Sequence, residues 1–170
     1  AQEFEGFTAD LLRNRRENAA TNEHDVIASL LEARVDGRPL TDEELVSILR
    51  NWTVGEIGTI SAAVGILAHF LAGNLQMQTA LRASPEKIPD AIEEILRVHG
   101  PLVANRRVTT CPVQIGGRDI AAGERLSLNW ISANRDEDVF DDPYTVRFDR
   151  DQSQNLLYGV GIHVCPGAPL

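Results

Sequence analysis

The stretch Leu156-Leu-Tyr-Gly-Val-Gly-Ile-His-Val-Cys-Pro-Gly-Ala-Pro-Leu170 gathers Tyr158, Gly159, Gly161, His163, Cys165, Pro166 and Gly167 into one short loop. Glycines this close to a cysteine describe a main chain pressed against something flat or bulky. Without a Cβ, backbone can approach where any other residue would clash. A lone cysteine presented on such a loop is a candidate metal ligand or nucleophile. A buried free cysteine in a glycine-rich turn is the plainer alternative. The density of glycines and the nearby His163 weigh against it.

The rest of the chain sets limits on what that cysteine can serve. At 170 residues it can bury one good core, and a single domain is expected. Its composition, 43% hydrophobic and 24% charged, is that of a soluble globular protein. A formal net charge of −9 argues against nucleic acid, whose phosphates demand a basic surface. Two cysteines, Cys111 and Cys165, cannot build a secreted disulfide framework, so a reducing compartment such as the cytoplasm is expected. Neither lies in a Cys-x-x-Cys pair, and His24, His69 and His99 are scattered, which disfavours zinc. No signal peptide is expected from the first residues of this sequence. The longest apolar run, 60–72, is interrupted by Ser61 and His69 and falls short of the ~18 residues of a membrane span.

Hydrophobic spacing predicts mostly helix. Phe4, Phe7, Leu11 and Leu12 suit a helix over 3–16. Asn22 can cap a second, running to about Val35, which the Asp36-Gly-Arg-Pro39 turn ends. Thr41-Asp-Glu-Glu44 reads as a capping box, with a hydroxyl at the cap and a carboxylate three residues on. It opens the longest helical pattern, 42–71, apolar nearly all round in its later part, as for a helix through the middle of a larger structure. Gly55, Gly58 and Gly65 within it permit close helix packing or room for a ligand. Helices over 74–82 and 90–98 follow, the second placing Glu94 and Arg97 on one face. Short strands are expected at 113–115, 118–120 and 125–130, then an irregular acidic connection over 132–154.

The loop resembles the haem-binding signature of the cytochrome P-450 family, Phe-x-x-Gly-x-x-x-Cys-x-Gly with a basic residue two places before the cysteine. Tyr158, Gly161, His163, Cys165 and Gly167 fall at those positions, with Tyr158 in place of phenylalanine. Upstream, Glu94-Ile-Leu-Arg97 resembles the family's Glu-x-x-Arg helix. Ala133-Asn-Arg-Asp136 and Val146-Arg-Phe-Asp149 resemble the segment that supplies a second arginine.

The resemblance implies a mainly α fold with small β-hairpins: a long central helix, the Glu-x-x-Arg helix and a cysteine loop binding haem b. Cys165 would be the axial thiolate of the iron. Tyr158, Gly159, Gly161 and Gly167 would shape the cofactor loop, and His163 and Arg107 would face the propionates. Glu94, Arg97 and Arg147 would form a buried structural charge cluster. It further implies a monooxygenase that inserts one oxygen atom from O2 into a small organic substrate, with electrons from a ferredoxin or a flavoprotein reductase. The family pattern on the central helix, Ala/Gly-Gly-x-Asp/Glu-Thr, meets Gly55-Glu-Ile-Gly-Thr59 here. The alcohol of Thr59 is in place, Gly58 stands at the acid position, and Glu56 is displaced. Thr59 and Glu56 are therefore the expected proton-relay residues in a shifted arrangement. A peroxide-using enzyme and a non-catalytic haem-binding or interaction fragment are the alternatives. Family members run to twice this length or more, so residues 1–170 are expected to be a partial domain, truncated at both ends and a poor holder of haem alone.

Overall fold

The structure, a computed structural model, describes residues 2–18 and 25–168. The predicted Asn22 cap lies outside the described residues. Two compact units are present, Ala1–Ile60 and Ser61–Leu170.

In the first unit, α1 (Gln2–Glu17) carries Glu3 and Glu5 in its first turn and Arg15 and Arg16 in its last, matching the helix dipole at each end. α2 (Val26–Glu32) starts at Asp25, whose side chain accepts from the Ala28 N–H. It is shorter than its apolar pattern suggests. The chain then turns through a small hairpin of β1 (Arg34–Val35) and β2 (Arg38–Pro39), with Asp36 and Gly37 at positive φ. The Thr41 capping box is formed in both directions, Glu44 N–H to Thr41 Oγ1 at 3.2 Å and Thr41 N–H to Glu44 Oε2 at 2.8 Å. It opens α3 (Asp42–Ala72). Thr8, Leu12 and Leu45 are buried here.

The second unit takes the end of α3, then α4 (Leu75–Ala83), a single 3-10 turn at Pro85–Lys87, and α5 (Ile88–His99). Pro89 sits in the first turn of α5, where its missing N–H costs nothing. Ile95 and Val98 of α5, with Val146, form the core, and Ile66, Leu67, Phe70, Leu71, Met77 and Phe148 pack against it. Past Gly100 come β3 (Ala104–Val108), β4 (Val113–Ile115), β5 (Arg118–Ile120) and β6 (Arg125–Asn129), followed by one helical turn, α6 (Trp130–Ala133). β4 and β5 form a hairpin through Gly116 and Gly117, both at positive φ. β6 pairs antiparallel with β3, Ala104 opposite Asn129 and Val108 opposite Arg125.

By length and composition alone α3 could cross a membrane, which counting the uninterrupted run from Ile60 did not reveal. Averaged over a longer window, Ser61 and His69 no longer outweigh their apolar neighbours. The same helix packs Ile66, Leu67, Phe70 and Leu71 onto the α5 core. Trp52, Val54, Ile57, Ile60 and Val64 are exposed on it.

Candidate haem-binding site

The cysteine loop is built by its own main chain. Gly159 (φ +73°) and Gly161 (φ +77°) occupy the left-handed region that side-chain-bearing residues avoid. They fold the strand back so that the Cys165 N–H donates to the Tyr158 carbonyl at 2.8 Å. Between them the chain makes one 3-10 turn, Gly161–His163, closed by the Val164 N–H on Gly161 O at 3.1 Å. Beyond Cys165 the Ala168 N–H returns to its carbonyl at 3.2 Å. The result exposes the thiol of Cys165 rather than burying it.

The same loop exposes several aliphatic side chains. Ile162 is 95% exposed, and Val160 and Val164 are also exposed. Branched aliphatic side chains beside an open thiol fit a flat, largely apolar ligand that takes a sulfur donor. His163, exposed on the same turn, adds a group able to meet a carboxylate. These features fit haem b, whose ring is apolar and whose propionates are anionic. Gly167, half-buried in the closing turn, completes the loop.

Tyr158 faces the other way. Its hydroxyl donates to Glu93 Oε1 on α5 at 2.9 Å. Burial, then the Glu93 hydrogen bond and the charges of Glu93 and Cys165, push the phenol up to about 12, so it stays a donor at neutral pH.

Behind the loop lies the charge cluster. Glu94 and Arg97 are both fully buried. Arg97 forks onto the carboxylate, Nε to Oε2 at 2.8 Å and Nη2 to Oε1 at 3.0 Å, with its Cζ 4.7 Å from the Phe140 ring centroid. Its Nη1 donates to the Asn134 carbonyl. Burial would push the Glu94 carboxyl up. Hydrogen bonds from Arg97, Gln152, Arg150 and the Arg147 N–H outweigh it and hold the group down at about 2.

The second guanidinium is a correction to the sequence reading. Arg150, not Arg147, supplies it, with Nε on Glu94 Oε1 at 2.9 Å. Arg147 enters only through its backbone N–H at 3.2 Å, and its own side chain turns outward to Asp141 at 3.8 Å. Segment 132–154 lacks a period, so nothing in the sequence says which of two nearby arginines points inward.

The remaining expected residues are Arg107, Glu56 and Thr59. Arg107 sits half-buried on β3, with Nη1 on its neighbour's carbonyl, Arg106 O, at 2.9 Å. Glu56 and Thr59 lie on α3 within the first unit. Glu56 is exposed, and the Thr59 hydroxyl donates to the Gly55 carbonyl one turn back.

The loop presents one exposed thiol on a turn shaped by two left-handed glycines. A profile of the cytochrome P-450 family matches residues 86–170, from just before α5 through the cysteine loop. The chain belongs to the cytochrome P-450 family, whose cofactor is haem b. It is 37% identical over 158 residues to cyclomarin C epoxidase of Salinispora arenicola, covering 93% of this chain and 39% of that protein. It is 34% identical to nocardicin C N-oxygenase of Nocardia uniformis, covering 99% of this chain and 41% of that one. The crystal structure of CYP109E1 from Bacillus megaterium in complex with testosterone superposes with a TM-score of 0.92 at 30% identity, over 99% of this chain and 46% of that one. The chain thus spans about two fifths of the length of the curated relatives it matches.

Proposed function

We propose that residues 1–170 form part of a longer haem-thiolate monooxygenase in which Cys165 would supply the sulfur ligand to haem b. The observation that carries this is the exposed Cys165 thiol, held on a loop with two left-handed glycines that also exposes Val160, Ile162 and Val164. Haem bound through a thiolate supplies dioxygen activation, because the sulfur donates electron density that favours O–O cleavage. This chain's residues hold and tune that chemistry. His163 would donate to a propionate through a ring N–H, and Arg107 would meet the other as a permanent cation. Glu94, Arg97 and Arg150 fix α5 against the 147–152 segment that leads into the loop. Thr59 and Glu56 would handle protons, Thr59 Oγ1 releasing the Gly55 carbonyl to do so.

The substrate in this reading is a small organic molecule that takes one oxygen atom, in a cytoplasmic enzyme drawing electrons from a ferredoxin or flavoprotein reductase. Its support is the company the chain keeps, named an epoxidase and an N-oxygenase. The exposed apolar side chains along α3 support the expectation of further chain. The test is turnover of the full-length protein under isotopically labelled dioxygen. One labelled oxygen atom in the product supports the reading, and product oxygen drawn from water or peroxide overturns it.

A peroxide-using enzyme is the second reading. Gly58 leaves the relay without an acid at the family's position, and the Thr59 hydroxyl is engaged by its own helix. Peroxide arrives with its electrons and protons, so it needs less of a relay. Product formed with peroxide and no reductase, faster than with dioxygen and a reductase, would select it.

A further inference from the structure

The family pattern has phenylalanine where this chain has Tyr158, and the added hydroxyl is put to use. It donates to Glu93 Oε1 at 2.9 Å, while the same residue's carbonyl accepts the Cys165 N–H at 2.8 Å. Tyr158 therefore grips α5 with its side chain and the cysteine with its main chain. Among the described residues, the other hydrogen bonds of 158–168 all stay within the loop, closing on Leu156, Tyr158, Gly161 and Cys165. Glu93 in turn is steadied by Asn155, whose Nδ2 lies 3.4 Å from the Glu93 carbonyl and 3.0 Å from Gln152 Oε1. Glu93 and Glu94 are neighbours, so one turn of α5 holds the loop through one carboxylate and the 147–152 segment through the next.

We propose that Tyr158 is a positioning residue for the Cys165 sulfur, its hydroxyl latched to Glu93 so that the sulfur is held in a fixed place against α5. The inference rests on the assignment of Cys165 as the haem ligand. It concerns a bond that phenylalanine could not make. A hydrogen bond to a charged acceptor is strong enough to shift a local opening equilibrium about tenfold. The half-buried ring is unchanged by Tyr158→Phe.

The test uses the full-length, haem-loaded protein with Tyr158→Phe, Glu93→Ala, Glu93→Gln and the Tyr158→Phe/Glu93→Ala double variant. Two readouts follow the sulfur rather than overall folding. One is the rate at which the reduced, carbon-monoxide-bound form loses its thiolate-type red-shifted band in mild denaturant. The other is hydrogen exchange of the Cys165 amide. Tyr158→Phe is expected to speed both about tenfold. Glu93→Ala should match it, the double variant should be no worse than either, and Glu93→Gln, which keeps an acceptor oxygen, should stay near wild type. A wild-type rate in Tyr158→Phe overturns the proposal, as do effects that add in the double variant. If the wild type itself lacks the red-shifted band, the ligand assignment fails first and takes this inference with it.

Discussion

Arg150 and Arg147 lie three residues apart, and the structure gives them opposite fates. The side chain of Arg150 is 5% exposed and donates to Glu94 Oε1 at 2.9 Å, Asp141 O at 2.7 Å, Asp142 O at 3.1 Å and Thr145 O at 3.2 Å. Replacing it with methionine keeps much of the volume but strips a guanidinium from a fully buried carboxylate and leaves those carbonyls without a donor. Breaking one side of a buried, hydrogen-bonded pair costs about 3–5 kcal/mol. Arg150→Lys recovers only part of this, since an ammonium cannot fork across the carboxylate and the loop carbonyls together. The side chain of Arg147 is 42% exposed and its Asp141 partner 90% exposed, at 3.8 Å. Such a pair contributes well under about 1 kcal/mol, and Arg147→Met leaves the N–H on Glu94 in place. Chemical denaturation of the full-length protein, followed by far-ultraviolet circular dichroism, should separate the two variants by about 3 kcal/mol. Equal losses, or an Arg150→Met variant as stable as wild type, would refute the assignment of the inward arginine.

Three further outcomes are expected. The folded Glu94 carboxyl lies at about 2, below its ordinary value of 4.5, so its contribution is full above that value and drains away as pH falls toward 2. That contribution is about 3 kcal/mol, and Glu94→Gln should flatten the fall in urea midpoint between about pH 5 and about pH 3. Gly159→Ala has room for its methyl, the nearest atom being His163 O at 3.8 Å, so its cost is the left-handed backbone alone, about 1–2 kcal/mol. It should appear as several-fold faster haem transfer to a globin trap, and an unchanged rate would show that the loop can relax. Thr59→Ala should leave oxygen consumption running while product falls, measured as product formed per oxygen used. Retained coupling removes Thr59 from the proton path.

What the sequence made legible was whatever is encoded within a few residues. The cysteine loop, the Thr41 capping box and the Glu94–Arg97 pair each depend on a fixed short spacing, and the structure forms each of these local arrangements. The long helix was legible from its cap and its apolar run. Less legible were features set by distant partners. β3 hides behind Arg106 and Arg107, whose adjacent charges break the alternation that marks a strand, and it exists because β6 pairs with it. The β1–β2 hairpin is too short to show any period. The inward turn of Arg150 depends on a carboxylate 56 residues away in sequence. The Tyr158–Glu93 bond spans 65 residues. A single added hydroxyl in a known pattern was its signal, and nothing local identified the acceptor.

The sulfur of Cys165 carries the account, and the reduced, carbon-monoxide-bound absorption spectrum of the full-length protein reads it most directly. The wild type should show the strongly red-shifted Soret band of thiolate ligation, and Cys165→Ser should lose that band together with turnover. A wild type without the band, or a Cys165→Ser variant that keeps it, would contradict the assignment.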